Sequence, residues 1–459
     1  MESLKIITSD RGLLSEHLEI NISALNAITN IVKCLGVKCI GYFPKILPPA
    51  LKLWESTVSA ESYANEDDSE KEEDDDRKML LQGSILMLFS YLVKKMPAFV
   101  TSNLRAIFRA IFLSDYVDNS IRSGVLALVV EHIDKTQVLQ ALCNLALSDN
   151  IYAVSNTADL GLYLNAFNNA IESADKKVAT SQSSLVMKWL IKSFEFRVEH
   201  GEGHFSENTI ASIEASFHQS ALKYVMKLND KNFRPLFASL VRWAFNGEGA
   251  GVLKSNESDR LVAFFKIFNK LQDSLKSIVT SYYSYLLDPA IKLLKEFESG
   301  AKSQTNLRRL LLHSLSSSFK YDQDDFWSHQ SRFEIVLEPL MGQLTNIEQS
   351  LGKHLVKAIS FFVSNVSLEE HNEKLVRGLI RYISNEYENS LNTKIWAIRV
   401  LKSVFQKVGE QWLSFLPTFI PYIAELLEDD DEEVELEVRK DLVRVIENIL
   451  GEPLDRYLS

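Results

Sequence analysis

The chain has 459 residues, 46% of them hydrophobic, with 17 glycines, 10 prolines and three cysteines. That length and apolar content support a large core, and the scarcity of glycine and proline favours long helices over many turn-linked strands. Cys34, Cys39 and Cys143 are too few for a disulfide framework and too awkwardly spaced for a zinc knuckle, so they are expected as small apolar core residues.

The net charge of −11 is unevenly placed. Glu61 to Asp76 carries ten acids and one lysine (−9) and Glu428 to Glu437 carries eight acids (−8), so taking these from −11 leaves +6 for the rest. A mildly basic body with two acidic blocks neither requires nor forbids nucleic-acid contact. Met1 to Arg11 lacks the basic-then-apolar pattern of a signal peptide, and runs such as ILMLFSYLV fall short of the roughly 20 residues of a membrane span. A soluble intracellular protein with no membrane partner is expected.

In chain order, the first strong pattern is residues 28 to 55, which returns at 401 to 428. At this offset of 373 (401 − 28), Ile28, Ile31, Val32 and Leu35 meet Leu401, Val404, Phe405 and Val408, Gly36 meets Gly409, and Pro44 and Pro48 meet Pro417 and Pro421. Each copy reads as helix, short turn, helix. The same template fits more weakly at offset 60 (Leu88, Tyr91, Leu92, Ile107, Ile111) and at offset 236 (Phe264, Ile267, Phe268, Leu271, Val279, Tyr283, Leu287). Such units leave an apolar face that only a neighbouring unit covers, which predicts an all-α solenoid of stacked antiparallel helix pairs.

The acidic stretch 61–77 reads as a disordered loop, with Ser69 suited to an acidophilic kinase by Glu70, Glu72 and Glu73. Next come the basic pairs Lys94 with Lys95 and Arg105 with Arg109. A long helix is expected over Glu207 to Leu228 with Ser206 as its cap. In Phe233, Arg234, Pro235, Leu236 and Phe237 the apolar residues continue a stripe through Leu240 and Trp243, leaving Arg234 and Arg242 to face outward or pair. Phe245 to Asp259 is a glycine-rich connector, and Arg308 with Arg309 forms another basic pair. The helix through Ile395, Ile398, Leu401, Val404 and Phe405 has Ser390 or Asn392 as its cap and Gly409 at its end. In FLPTFIPYIAELLEDDDEEVELEVRK, Asp430 and Asp431 are placed to cap the next helix, whose stripe is Val434, Val438, Leu442, Val445, Ile446 and Ile449 before Gly451 and Pro453 stop it. Glu432, Glu433, Glu435 and Glu437 exceed what capping needs and are candidates for a surface that binds a basic partner.

No catalytic constellation emerges. Gly247, Gly249 and Gly251 before Lys254 and Ser255 miss the phosphate-loop spacing, EHGEGH (Glu199 to His204) lacks further metal ligands, and the acidic block lacks the alternation and glycine of a calcium loop. No cofactor, metal or small-molecule substrate is expected, and the chain reads as a non-enzyme. The basic residues Lys94, Lys95, Arg105, Arg109, Arg234, Arg242, Arg308 and Arg309 are candidate contacts to RNA or an acidic partner.

The segment from Phe415 to Leu450 resembles a HEAT repeat: a proline-bearing first helix, a leucine pair, an Asp-rich turn, then valine and a basic residue opening the second helix. LNDKNFRPLFASLVRWAF, GVLKSNESDRLVAFFKIFNKL and FKYDQDDFWSHQSRFEIVLEPLMGQL, with the closing LGEP, resemble the C-terminal part of the large HEAT-repeat proteins associated with U3 small nucleolar RNA, over roughly 185 to 459. Residues 1–60 and 78–184 read only as generic HEAT-like helices, and the resemblance implies a family-specific helical region over 185–300 and C-terminal HEAT repeats with a terminal cap over 301–459. It also implies a nucleolar scaffold of the small-subunit processome that supports rRNA processing, is linked to rDNA transcription, and has processome proteins and pre-ribosomal RNA as partners. The alternative on repeat architecture alone is a HEAT-repeat nuclear transport receptor or another protein-binding solenoid.

Overall fold

The computed structural model describes residues 2–59, 68–154, 156–200, 205–249 and 257–458. Among the described residues there is no strand, and two units are distinguished: one runs to Leu236, the other takes Phe237–Glu248 and the described residues from Glu257 onward.

The first unit contains α1 (Leu18–Leu35), α2 (Phe43–Ser59), α3 (Asp68–Lys95), α4 (Leu104–Phe112), α5 (Asn119–His132), α6 (Lys135–Leu147), α7 (Thr157–Ser173), α8 (Ser183–Phe194) and α9 (Glu207–Val225). Odd-numbered helices pack side by side in one layer, from α1 through α3, α5 and α7 to α9; α2, α4, α6 and α8 form the other. The apolar faces meet between the layers. Phe108, Phe112, Tyr163, Phe167 and Trp189 are buried there, and the Trp189 indole N–H donates to the Tyr163 hydroxyl at 2.8 Å. Ser206 accepts from the Thr209 amide, capping α9 as expected.

α10 (Asp230–Asn246) carries the unit boundary. Phe233, Phe237, Leu240 and Trp243 form its buried stripe. In the second unit follow α11 (Glu257–Leu275), α12 (Leu287–Glu298), α13 (Thr305–Lys320), α14 (Gln330–Met341), α15 (Gly352–Ser364), α16 (Glu369–Ile383), α17 (Leu391–Val408) and α18 (Leu416–Leu427). The chain ends in α19 (Glu432–Glu437), a π-helical turn Val438–Leu442, and α20 (Val443–Leu450). Here too odd packs on odd, from α11 through α13, α15 and α17 to α19, and even on even, from α12 through α14 and α16 to α18. Each unit is a HEAT-like α-solenoid of stacked helix pairs, in which each pair buries the face its neighbour exposes.

Local chemistry sets the turns. Gly36 and Gly409 end α1 and α17 with φ of +51° and +55°, and each opens a 3-10 segment, Gly36–Tyr42 and Gly409–Phe415, that leads into the next helix. The 373-residue offset is therefore structural as well as sequential. Offset 60 also holds, since α3 gives way after Lys95 to a short helix and a 3-10 turn before α4. Offset 236 is one helical turn out. The residue matching Gly36 is Lys276 (276 − 36 = 240), which follows α11 at φ +50°, and a four-residue slip preserves apolar spacing, so spacing alone could not detect it. The last stripe, Val434, Val438, Leu442 and Ile446, repeats every four residues, and the wider π turn keeps it on one face.

Three expectations need correction, the first being that Cys34, expected as a core residue, is exposed. Of the stretch 61–77 expected as a loop, Asp68 onward belongs to α3. Acids in a first turn oppose the helix dipole, and further along Glu73 faces Arg77 at 3.6 Å and Asp74 faces Lys78 at 2.6 Å. Residues 60–67 and the side chain of Ser69 lie outside those described. Leu18–Val58 is long and apolar enough to cross a membrane by length and composition. In the structure Gly36 and the 3-10 turn divide it, and Leu25, Ile28, Val32, Ile46 and Leu47 are buried in the helical layers.

Positive φ gives a test. Added Cβ atoms at Gly36 and Gly409 meet no close neighbour, so Gly36→Ala and Gly409→Ala cost backbone strain alone, about 1–3 kcal/mol each with ψ of −124° and −128° at these positive φ values. Exposed Lys276→Gly relieves the same strain and stabilises by up to about 1 kcal/mol after glycine's unfolded-state entropy. Denaturant unfolding of the three variants checks both signs.

Candidate functional site

A groove of about 630 Å³ opens between α15 and α17 of the second unit, with α19 at its end. Its floor is set by close approach: the Ser360 and Ser403 hydroxyls lie 2.8 Å apart, and Gly352 abuts the Trp396 ring so closely that a Cβ there would collide with it. Its walls are cationic. Lys353 and Lys357 stand one turn apart on α15, and Arg399, Lys402 and Lys407 line α17.

These cations fall into two groups. Arg399 forms a fork to Glu437 at 2.9 and 3.0 Å and lies 4.7 Å over the Trp396 ring; Lys402 reaches Asp441 at 2.7 Å, and Lys394 reaches Asp429 at 2.9 Å. Three ion pairs thus fasten α17 to the acidic block and the helix after it. Lys353, Lys357 and Lys407 have no ion-pair partner among the described residues. Lys407 sits 3.5 Å from the Phe361 ring centroid, and its ammonium is held below its ordinary pKa by burial first and then by Lys320 and Lys357. Beside the groove on α13 and α15 the imidazoles are kept neutral: His313 is lowered first by burial, against the pull of Asp273, with Lys357 and Arg309 adding to the shift, and His354 by burial, Arg309, His313 and Lys357.

The candidates from sequence scatter. Lys94, Lys95 and Arg109 are exposed; Arg105 is bound by Asp149, Nε to Oδ2 at 2.5 Å. Arg234 pairs with Asp230 at 2.6 Å and Arg242 with Glu248 at 3.1 Å. Arg309 is exposed on α13 beside the basic row, with Asn306 as a hydrogen-bond partner. Arg308 requires correction as a surface contact: it is 4% exposed and donates to the Gln343 side chain at 2.9 Å, the Gln343 carbonyl at 3.0 Å and Asn346 at 3.1 and 3.2 Å. Gln343 and Asn346 in turn donate to the Leu294, Phe297 and Glu298 carbonyls at the end of α12. Arg308 therefore ties α13 to the helix ends beside it.

The acidic candidates divide likewise. Asp431 caps α19 through the Glu433 amide at 2.9 Å, as expected, while Asp430 is exposed and makes no cap. Glu437 is engaged by Arg399 and Glu435 by Arg439 at 2.9 Å, so neither is an open carboxylate; Glu432 and Glu433 are exposed. In EHGEGH, residues 201–204 lie outside those described, as do 250–256 of the glycine-rich connector. Among the described residues no group of three or more His, Cys, Asp or Glu is placed to hold a metal ion.

The groove lysines were missed because α15 and α17 are not consecutive. Laying every second helix side by side would have aligned Lys353 and Lys357 with Arg399, Lys402 and Lys407.

The burial of Arg308 predicts a split between adjacent arginines. Arg308→Ala should lower stability by about 2–3 kcal/mol, since it leaves buried acceptors without a charged donor. Arg309→Ala should stay within about 0.5 kcal/mol of the parent. Chemical unfolding of both variants measures the difference.

Comparison with known proteins bears on the whole chain. The BP28CT (NUC211) domain family matches residues 178–327. U3 small nucleolar RNA-associated protein 10 of Scheffersomyces stipitis is 59% identical over 100% of this chain and 24% of its own length. The protein of that name from Candida albicans is 58% identical over 100% of this chain and 25% of its own length, and that from Saccharomyces cerevisiae is 47% identical over 97% and 24%. The chain thus spans about a quarter of the length of the curated relatives it matches. Among solved structures, a mutant of Kap121p aligns with 100% of this chain and 43% of its own at 14% identity and a TM-score of 0.49. Importin beta aligns with 98% and 57% at 11% identity and a TM-score of 0.39.

Proposed function

This chain is a homologue of the C-terminal part of U3 small nucleolar RNA-associated protein 10, and from that premise we propose that it is a non-catalytic scaffold of the small-subunit processome. In this reading it works in the nucleolus, holds other processome proteins, and supports pre-rRNA processing toward 18S rRNA, with a link to rDNA transcription. The observation that carries the reading is the spread of identity over the whole chain, well beyond the 178–327 domain.

The fold suits the role. Stacked helix pairs offer long rows of outward side chains without committing them to the core. Exposed Lys94, Lys95, Arg109 and Arg309 on one side of the charge balance, and Glu432 and Glu433 on the other, are surfaces for such partners. The pairing of Arg105, Arg234, Arg242, Glu435 and Glu437 within the chain makes those residues weaker candidates.

Affinity purification of the tagged chain from nuclear extract, with chemical crosslinking and mass spectrometry, tests the reading. Enrichment of small-subunit processome proteins and pre-ribosomal RNA is expected. Recovery instead of a nucleotide-switched GTPase with diverse cargo would replace it with a transport receptor.

A further inference from the structure

We propose that the groove between α15 and α17 holds the sugar–phosphate backbone of single-stranded RNA, with Lys353, Lys357 and Lys407 taking the phosphates and Lys320 at the rim. The inference rests on the scaffold reading for its biological setting but on the groove's own chemistry for its ligand.

The first argument is charge left over. Along the same ridge Lys394, Arg399 and Lys402 are each given a carboxylate, whereas Lys353, Lys357 and Lys407 converge on one cleft with none. Like charges gathered in this way repel one another: burial first, and then Lys320 and Lys357, holds the Lys407 ammonium below its ordinary pKa. A bound polyanion removes the repulsion and releases its own counterions, which makes the arrangement favourable when occupied.

The second argument concerns which anion. Lys407 lies over one face of Phe361 and Arg399 over one face of Trp396, whose ring is itself buried, so the cleft's own cations already occupy the aromatic faces turned toward them. Contact is therefore to the backbone, without base readout. The unpaired cations are all lysines. A compact ammonium on a flexible stem meets phosphate oxygens from many directions, whereas carboxylates are best matched by the planar arginine fork, and the groove's arginine is already spent on Glu437. The cleft volume suits a short piece of one strand, and exposed Arg309 on α13 adds positive charge beside it.

Fluorescence anisotropy of the 459-residue chain with a labelled oligouridine of about 20 nucleotides, titrated at several salt concentrations, tests the proposal. K353A/K357A/K407A should weaken binding about tenfold at physiological salt and flatten the log–log salt slope by about 2, from roughly 0.7 per lost phosphate contact. K38A/K45A/K52A removes the same charge from exposed positions of the first unit and should stay within about twofold of the parent. Circular dichroism melts confirm that both variants fold. Parent-like affinity in the groove variant, or equal losses in both variants, would overturn the proposal. So would tighter binding of a labelled oligoglutamate than of RNA, which would make the groove a site for acidic protein segments. Processome proteins recovered with the groove variant, alongside lost RNA affinity, would keep the scaffold reading separate. RNA binding with no processome recovery would overturn that reading and leave this one standing.

Discussion

Every helix pair in this chain has an apolar face that nothing but the next pair can cover. That constraint fixes the packing of odd-numbered helices on odd and even on even in each unit, and it fixes where side chains remain available. Residues such as Ile359, Phe362, Val400, Leu401 and Val404 are fully buried by the stacking. Between them on the same helices, Lys353, Lys357, Lys402 and Lys407 are left on the outer ridge. The groove is a by-product of two ridges brought close, and Gly352, Ser360 and Ser403 permit that approach because they are small.

Charge is then disposed in two ways. At the end of the second unit part of the acidic charge is used internally: Asp429 and Glu437 of the acidic block and Asp441 after it neutralise Lys394, Arg399 and Lys402 and hold the last helices on α17, while Glu432 and Glu433 stay exposed. Partly buried pairs of this kind fix register more than they add stability. One turn away, the groove lysines are not neutralised. Internal pairing thus separates structural charge from charge available to a partner, a distinction that residue type alone cannot make.

Much of the architecture was legible in the sequence because it depends on local chemistry. Apolar spacing of three and four announces helices, and Gly36 and Gly409 announce the same positive-φ turn. Ser206, Ser390 and Asp431 were readable as caps because capping acts within three residues. What was not legible depends on distant partners. Arg308 looks identical to Arg309 in sequence, yet it is buried by Gln343 and Asn346, more than 30 residues on. Glu437 looked like surplus acid because Arg399 lies 38 residues before it. The groove lysines come together only when α16 is skipped, and Lys276 occupies a glycine-like conformation that its side chain does not advertise.

Photocrosslinking of 4-thiouridine RNA to the 459-residue chain, with mass spectrometric mapping, addresses the separation of structural from available charge most directly. The account predicts adducts concentrated in peptides spanning Lys353–Phe361 of α15 and Gln406–Lys407 of α17, and none at Arg308. Adducts confined to the first unit, around Lys94, Lys95 and Arg109, would contradict it.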